Sequence, residues 1–393
     1  MLRALNFLAF SSSTIALLSA MWIVVPAPHS YVWLLAVAAS EWSLWLAALA
    51  LFGIFCAVLC QYFSSGKLWI FASIIGITAL LISIYPLVSV VSIARERKVS
   101  LSLKRYFSAV FPNQISNEHF RTYTFAKADG VDLQLDVYLP IIENANNGAS
   151  IIVVHGGSWR GGQRSDFPEW NRWLAAQGFT VFDVDYRLAP QPNYLTAAGD
   201  VKCAVCWVKN HAAEFNIKPE RIALLGRSAG AHLALLAAYS ADDSRIPATC
   251  AENKSSEKVR AVVSFYAPIN LLWAFDNPAN ERVIDGKLTL SNFLGGNPHE
   301  SDELRERYVL ASPLSHVFAE TPPTFLIHGG HDQLVRDENM SFLDEKLKEA
   351  KVPHELIFIP YAQHGFDYNF NGFGSQIVQP SILDFLSANT AGN

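Results

Sequence analysis

The sequence predicts an α/β fold, a mostly parallel sheet with helices on both faces, preceded by an N-terminal transmembrane helical region. Three observations lead to this expectation. Residues 4–94 are almost free of charge, short apolar runs alternate with helix-length amphipathic segments from residue 150 onward, and a glycine-flanked serine at 226–230 joins a strand to a helix. Of the 393 residues, 51% are hydrophobic and 17% charged. The mean hydropathy of +0.20 is too high for an ordinary soluble domain of this size.

Three apolar segments in residues 1–94 are long enough to cross a hydrocarbon core, which needs about 20 residues in a helix. They are Leu5–Val25, Trp42–Phe63 and Leu68–Ile93. Because they lack a polar face, membrane spans are favoured over buried core helices. A further apolar piece, Tyr31–Ala39, is too short to cross alone and is either interfacial or part of a broken span. The anchor therefore has three, or four, spans.

Basic residues near the spans are unevenly distributed. Five follow the last span, whereas Arg3 and Lys67 are the others nearby. The five are Arg95, Arg97, Lys98, Lys104 and Arg105. By the positive-inside rule they predict a cytoplasmic C-terminal domain. Residues 95–120 suit an amphipathic linker that contacts lipid or docks on the domain, and the net charge of −5 gives no reason to expect nucleic acid as a partner.

Residues 121–393 are expected to form one C-terminal domain. Alternating residues on either side of Asp129-Gly130 predict an opening hairpin. The apolar runs that follow predict strands buried on both faces, hence a parallel sheet covered by helices. They are 151–154, 180–184, 222–225, 259–265, 324–327 and 355–359. Residues 270–310 break the alternation and are expected to form a cap, while Cys203 and Cys206 are expected to be small buried residues.

The segment Gly226-Arg227-Ser228-Ala229-Gly230 places a serine hydroxyl on a sharp turn between strand and helix. A serine becomes nucleophilic only when a base removes its proton and a third group orients that base. Asp332 and His364 follow two later strands, and in an open α/β sheet reactive groups gather beyond the carboxyl ends of strands. His155, His232, His328 and His331 compete with His364 for the base, and Asp337 and Asp367 compete with Asp332 for the acid.

A fourth element is the strand 151–154, which opens into His155-Gly156-Gly157. An oxyanion on a substrate carbonyl needs N–H donors fixed in place, and glycines let the backbone approach closely. The expected oxyanion donors are the N–H groups of Gly156, Gly157 and Ala229.

At these motifs the chain resembles the α/β-hydrolase superfamily, in particular the esterases and lipases related to hormone-sensitive lipase and the feruloyl-esterase-like members. His155-Gly156-Gly157 matches that group's oxyanion motif, and Ser158-Trp159 is similar to the feruloyl-esterase-like and kynurenine-formamidase-like branches. The segment 185–190 also looks like one common in these enzymes. The resemblance covers the C-terminal part of the chain and implies Ser228 as nucleophile, Asp332 as acid and His364 as base.

These features predict a membrane-anchored serine hydrolase that cleaves carboxylic esters through an acyl-enzyme, with no cofactor and no metal. The same triad suits an amide or formamide hydrolase, and a non-catalytic ligand-binding protein could use the same fold, so both alternatives stay open. A small-molecule or lipidic ester and the bilayer are the expected partners. Acyl chain length and oligomeric state are left open.

Overall fold

The computed structural model describes residues 2–63, 67–108, 120–140, 147–188, 192–250 and 255–391. Part of the predicted linker, residues 109–119, lies outside the described residues. The same holds for Ala189 and Pro190 at the end of the 185–190 segment.

Four helices make up what we call the N-terminal helical region, residues 2–96. They are α1 Leu2–Ala20, α2 Ser30–Glu41, α3 Ser43–Phe63 and α4 Leu68–Glu96. A 3-10 turn extends α1 to Ile23. Within the described chain, Arg3–Ile23, Ser43–Tyr62 and Leu68–Glu96 are long and apolar enough to cross a membrane. Helix α2, which contains the short apolar piece, has 12 residues; at about 1.5 Å per residue it is too short to cross a core about 30 Å thick.

The C-terminal domain is built on an eight-stranded sheet in the order β1-β2-β4-β3-β5-β6-β7-β8. The strands are β1 Phe120–Ala128, β2 Val131–Tyr138, β3 Ser150–Val154, β4 Thr180–Val184, β5 Ile222–Arg227, β6 Ala261–Phe265, β7 Thr324–Gly329 and β8 His354–Ile359. Strand β2 pairs antiparallel with β1 and β4, and the other pairs are parallel. Every residue of β3 to β7 is buried, as the continuous apolar runs predict. The predicted α/β fold class is confirmed.

Nine further helices complete the described chain. They are α5 Leu103–Ser108, α6 Pro168–Ala176, α7 Tyr194–Asn210, α8 Ala229–Tyr239, α9 Leu271–Asp276, α10 Gly286–Leu294, α11 Asp302–Leu310, α12 Glu338–Glu349 and α13 Phe373–Thr390. Helices α7, α8 and α12 pack on one face of the sheet, and α6 and α13 pack on the other. Helices α9 to α11 lie between β6 and β7, in the segment expected to form a cap.

The N-terminal helical region is docked against the C-terminal domain. Val90 and Ala94 of α4 belong to the same buried apolar cluster as α6 and α13. Beyond α4, the Arg97 guanidinium donates to the Glu355 carboxylate at 3.1 Å and to the Leu356 carbonyl at 2.8 Å. Arg105 likewise donates to side chains and a carbonyl at the start of α13 and just before it. Two of the five bases that suggested an orientation signal therefore bind the domain itself.

The cysteines of the C-terminal domain depart from expectation. Cys203 on α7 forms a disulfide with Cys250, 47 residues along the chain, with the two Cα atoms 5.6 Å apart. The prediction that Cys203 is merely a small buried residue was therefore wrong. Its partner was not apparent in the sequence because Cys250 lies in an irregular loop with no spacing that marks a pair.

Asp183 on β4 carries a buried carboxyl group. Its Oδ2 accepts from the Ser165 backbone N–H at 2.7 Å and from the Asn171 side-chain amide at 2.6 Å. Burial is the largest influence and raises its pKa to about 7, although these hydrogen bonds and the charge of Arg227 act in the opposite direction. The folded protein thus keeps this proton at pH values where an unfolded chain would release it.

We predict a pH-dependent effect of Asp183→Asn on stability. An unfolded aspartate ionises near pH 3.9, so between about pH 4 and the folded pKa of about 7 the folded state binds more protons than the unfolded state. The contribution of Asp183 is therefore fully present below about pH 4 and is lost as pH rises towards 7. The difference in melting temperature, Asp183→Asn minus wild type, should therefore increase from pH 5 to pH 7. A difference that is equal at both pH values, or that changes as much for the exposed Asp132→Asn, would contradict this.

Candidate active site

Ser228 occupies a tight turn between β5 and α8. Its backbone has φ 54° and ψ −123°, a conformation that L residues rarely adopt. The turn closes because its flanking positions are glycine. A Cβ on Gly226 would lie 2.4 Å from the Gly230 carbonyl oxygen, and one on Gly230 would lie 2.1 Å from the His155 carbonyl oxygen. Any larger residue at either position would open the turn and move the serine.

The structure brings the three sequence-predicted side chains together. Ser228 Oγ lies 2.8 Å from His364 Nε2, and His364 Nδ1 lies 2.7 Å from Asp332 Oδ2. The residues stand beyond the ends of β5, β7 and β8, at one edge of the sheet. This arrangement lets the imidazole accept the serine proton while the carboxylate fixes its orientation.

Asp332 is held ionised by its surroundings. Burial alone would raise its pKa, but His364 and His328 outweigh that effect and hold the pKa well below the ordinary value. His328 Nε2 lies 3.3 Å from Asp332 Oδ2. The other oxygen, Oδ1, accepts the backbone N–H groups of Leu334 and Val335 at 2.8 and 2.9 Å. From the sequence, His328 was considered only as an alternative base. Its position four residues before Asp332 was the one sequence feature that pointed to a contact between them.

The glycine loop after β3 runs beside Ser228. A Cβ on Gly156 would lie 3.3 Å from the Ser228 Cβ, so the loop backbone passes close to the serine. Gly157 has φ 117°, and a Cβ there would lie only 2.0 Å from the Gly161 carbonyl oxygen. Ala229 begins α8, so its N–H has no acceptor within that helix. Gly156 and Ala229 thus adjoin the serine, and Gly157 continues the same loop.

Trp159 connects the glycine loop to residues 270–310, which we call the cap segment. Its ring stacks on Phe293 of α10 with centroids 4.2 Å apart. Its indole N–H donates to His232 Nδ1 at 3.1 Å, and His232 Nε2 in turn lies 2.8 Å from the Ala311 carbonyl oxygen. Burial lowers the pKa of His232 to about 4, so this imidazole is neutral. His232, a rival base in the sequence, is instead a structural link.

Asp367, a rival acid in the sequence, belongs to a buried cluster behind His364. Its carboxylate accepts from Arg227 Nε and from the Tyr266 hydroxyl, each at 2.5 Å. The Tyr266 ring lies against the His364 ring with centroids 4.3 Å apart. Tyr266 was not predicted from the sequence, because a tyrosine just after a strand carries no pattern that separates it from core residues.

The remaining alternatives for the base and the acid do not take part in the hydrogen bonds that join Ser228, His364 and Asp332. His155 Nδ1 contacts the Gly156 carbonyl, and its ring stacks on Tyr186. His331 Nδ1 lies 2.8 Å from the Ile23 carbonyl oxygen, and Asp337 immediately precedes α12. In the described residues, no group of three or more His, Cys, Asp or Glu side chains could hold a metal ion.

A cavity of about 70 Å³ adjoins Ser228 and Ala229. Its walls are largely apolar and come from the cap segment and from the loop after Asp332. They include Ala274, Ile284, Leu290, Leu334 and Val335. Ser228 therefore lies in the wall of a largely apolar cavity.

The BD-FAE family model matches residues 135–347. The probable carboxylic ester hydrolase LipM of Mycobacterium tuberculosis is 29% identical over 242 residues, which cover 59% of this chain and 53% of LipM. Esterase LipC of the same organism is 31% identical over 223 residues, which cover 55% of this chain and 53% of LipC. The chain thus spans about half the length of the curated relatives it matches.

A solved structure extends the likeness to a larger share of the chain. The thermophilic esterase Est2 of Thermogutta terrifontis, solved with butyrate bound, is 26% identical with a TM-score of 0.56. The match covers 69% of this chain and 94% of that chain. With a family model that matches more than half of the sequence, the chain belongs to the BD-FAE family of α/β-hydrolases.

Proposed function

We propose that this protein is a membrane-anchored serine hydrolase that cleaves carboxylic esters through an acyl-enzyme intermediate. The observation that carries the proposal is the hydrogen-bonded line from Ser228 through His364 to Asp332, at the edge of an apolar cavity. The names of the relatives LipM and LipC, both esterases, support an ester rather than an amide as substrate.

In the first half-reaction, Ser228 Oγ attacks the acyl carbonyl while His364 Nε2 removes the hydroxyl proton. The negative charge that develops on the carbonyl oxygen is stabilised by the N–H groups of Gly156, Gly157 and Ala229. His364 then gives the proton to the leaving alcohol. In the second half-reaction, water attacks the acyl-enzyme and His364 acts as the base again. Asp332 remains ionised throughout and fixes the tautomer with the proton on Nδ1.

Ser228→Ala should abolish this chemistry. We expect kcat for a short-chain aryl ester to fall by roughly 10⁴-fold or more, since the variant lacks the nucleophile. Covalent labelling by a fluorophosphonate probe should also disappear, whereas the exposed Ser315→Ala should keep both. Absence of labelling in folded wild type would favour a non-catalytic binding protein, and faster turnover of N-formylkynurenine than of aryl esters would favour the formamide hydrolase.

The size of the cavity favours short acyl groups. The cavity beside Ser228 is small, about 70 Å³, and its walls are largely apolar. We therefore expect kcat/KM to be about tenfold or more higher for a butyrate ester than for a laurate ester. Leu290→Ala should shift the preference to longer chains, because Leu290 lines the cavity, whereas Leu288→Ala on the exposed side of the same helix should not. A laurate preference in wild type would contradict the assignment of this cavity to the acyl group.

Membrane anchoring is proposed from the three helices that are long and apolar enough to cross a membrane. The bases after α4, five against two elsewhere near the spans, favour a cytoplasmic domain. The Cys203–Cys250 disulfide is of a kind that persists in oxidising compartments. Because large domains translocate largely regardless of charge, we give the disulfide more weight and propose that the domain lies on the non-cytoplasmic side.

Sealed vesicles of both orientations test this placement. We expect protease to digest the C-terminal domain only from the non-cytoplasmic face, and alkylation of Cys203 and Cys250 only after reduction. If protease digests the domain only from the cytoplasmic face, and both thiols are alkylated without reductant, the domain is cytoplasmic, as the bases predict.

A further inference from the structure

The turn between α1 and α2 contacts both residues that flank Asp332. The His331 ring donates from Nδ1 to the Ile23 carbonyl at 2.8 Å and stacks near Tyr85 of α4. On the other side, the Ala27 backbone N–H donates to Gln333 Oε1 at 2.7 Å. The N-terminal helical region therefore holds the acid-bearing loop at two adjacent points.

Gln333 extends this contact towards the predicted base. Its side-chain N–H donates to Gln363 Oε1 at 3.0 Å, and Gln363 immediately precedes His364. Gln333 Oε1 also accepts from the side-chain amide of Asn280, which in turn donates to the Ala27 carbonyl at 2.8 Å. Gln333 is 9% exposed and Gln363 is 2% exposed, so water competes little for these bonds.

One amide side chain thus joins the neighbour of the acid, the neighbour of the base, the cap segment and the turn that follows α1. Backbone pairing between the two loops reinforces the link, since the His331 N–H donates to the Ala362 carbonyl at 3.0 Å. Contacts of this kind fix how far the Asp332 and His364 loops can separate. A misplacement of about 1 Å in a reacting group can cost about 10²-fold in rate.

We infer that the N-terminal helical region helps to position the active-site residues. Through Gln333, the turn Ile23–Ala27 fixes the loops that carry Asp332 and His364 relative to each other. Gln333 is a positioning residue, because it acts through its neighbours and does not touch the reacting atoms. This inference rests on the proposed function of Ser228, Asp332 and His364.

The test compares Gln333→Ala with Gln376→Ala in the full-length protein. Gln376 is a matched control because it is also buried, at 2% exposed, and its side-chain amide bonds the backbone of Ser102, in the segment after α4, yet it lies on α13. We expect Gln333→Ala to lower kcat about 10- to 100-fold with KM changed less than about threefold, and Gln376→Ala to leave kcat unchanged. An equal loss of kcat in both variants, or a change in KM alone, would overturn the inference.

Gln363→Ala keeps the test decisive if Gln333→Ala does not fold. It removes the other end of the bridge but leaves the contacts of Gln333 with Ala27 and Asn280. We expect a similar loss of kcat, with the double variant no worse than either single variant, because each variant breaks the same line of contacts from Ala27 through Gln333 to the loop of His364. Wild-type kcat in Gln363→Ala would overturn the positioning role.

The same assays separate this inference from the proposed function. If wild type hydrolyses no ester, or if Ser228→Ala is as active as wild type, the proposed function fails. If Ser228→Ala is inactive but Gln333→Ala matches Gln376→Ala, the proposed function stands and only the positioning role fails.

Discussion

The backbone turn at Ser228 is the constraint on which the site depends. A residue with a side chain is held at φ 54°, and the turn fits only because Gly226 and Gly230 leave space for neighbouring backbone. That conformation is unfavourable by about 1–3 kcal/mol, so the surrounding structure must supply it. The Ser228 N–H donates to the Phe265 carbonyl, and α8 begins with the next residue, buried along its whole length. The hydroxyl position is therefore a property of the packed sheet rather than of a surface loop.

The helical region and the C-terminal domain form one packed structure in the described residues. Val90 and Ala94 share a core with α13, Arg97 reaches β8, and the turn after α1 contacts the residues beside Asp332. If the helices served only to tether the domain, none of these contacts would be needed. Because the helical region lies beside the acid and base loops, a change in the packing of its helices would also reach the geometry of the site.

The sequence predicted those parts of the molecule that have local signals. Apolar length identified the long helices, continuous apolar runs identified the buried strands, and position after a strand marked Ser228, Asp332 and His364 as candidates. The Cys203–Cys250 pair, the Arg227–Asp367 ion pair and the bridge from Gln333 to Gln363 were not predicted. Each joins residues distant in sequence, or joins polar side chains whose partners depend on tertiary packing, so no periodicity or spacing marks them. Helix α2 was uncertain for a related reason, since its length fits both a surface helix and half of a span.

The stack of Trp159 on Phe293 limits how the cavity can open. Trp159 lies two residues after Gly157, in the loop proposed to supply oxyanion donors, and Phe293 belongs to α10 of the cap segment. An outward swing of α10 would either expose both aromatic faces to water or pull the glycine loop with it. A substrate that needs a wider entrance would therefore have to offset the lost burial of these two rings, or bind while the glycine loop is displaced.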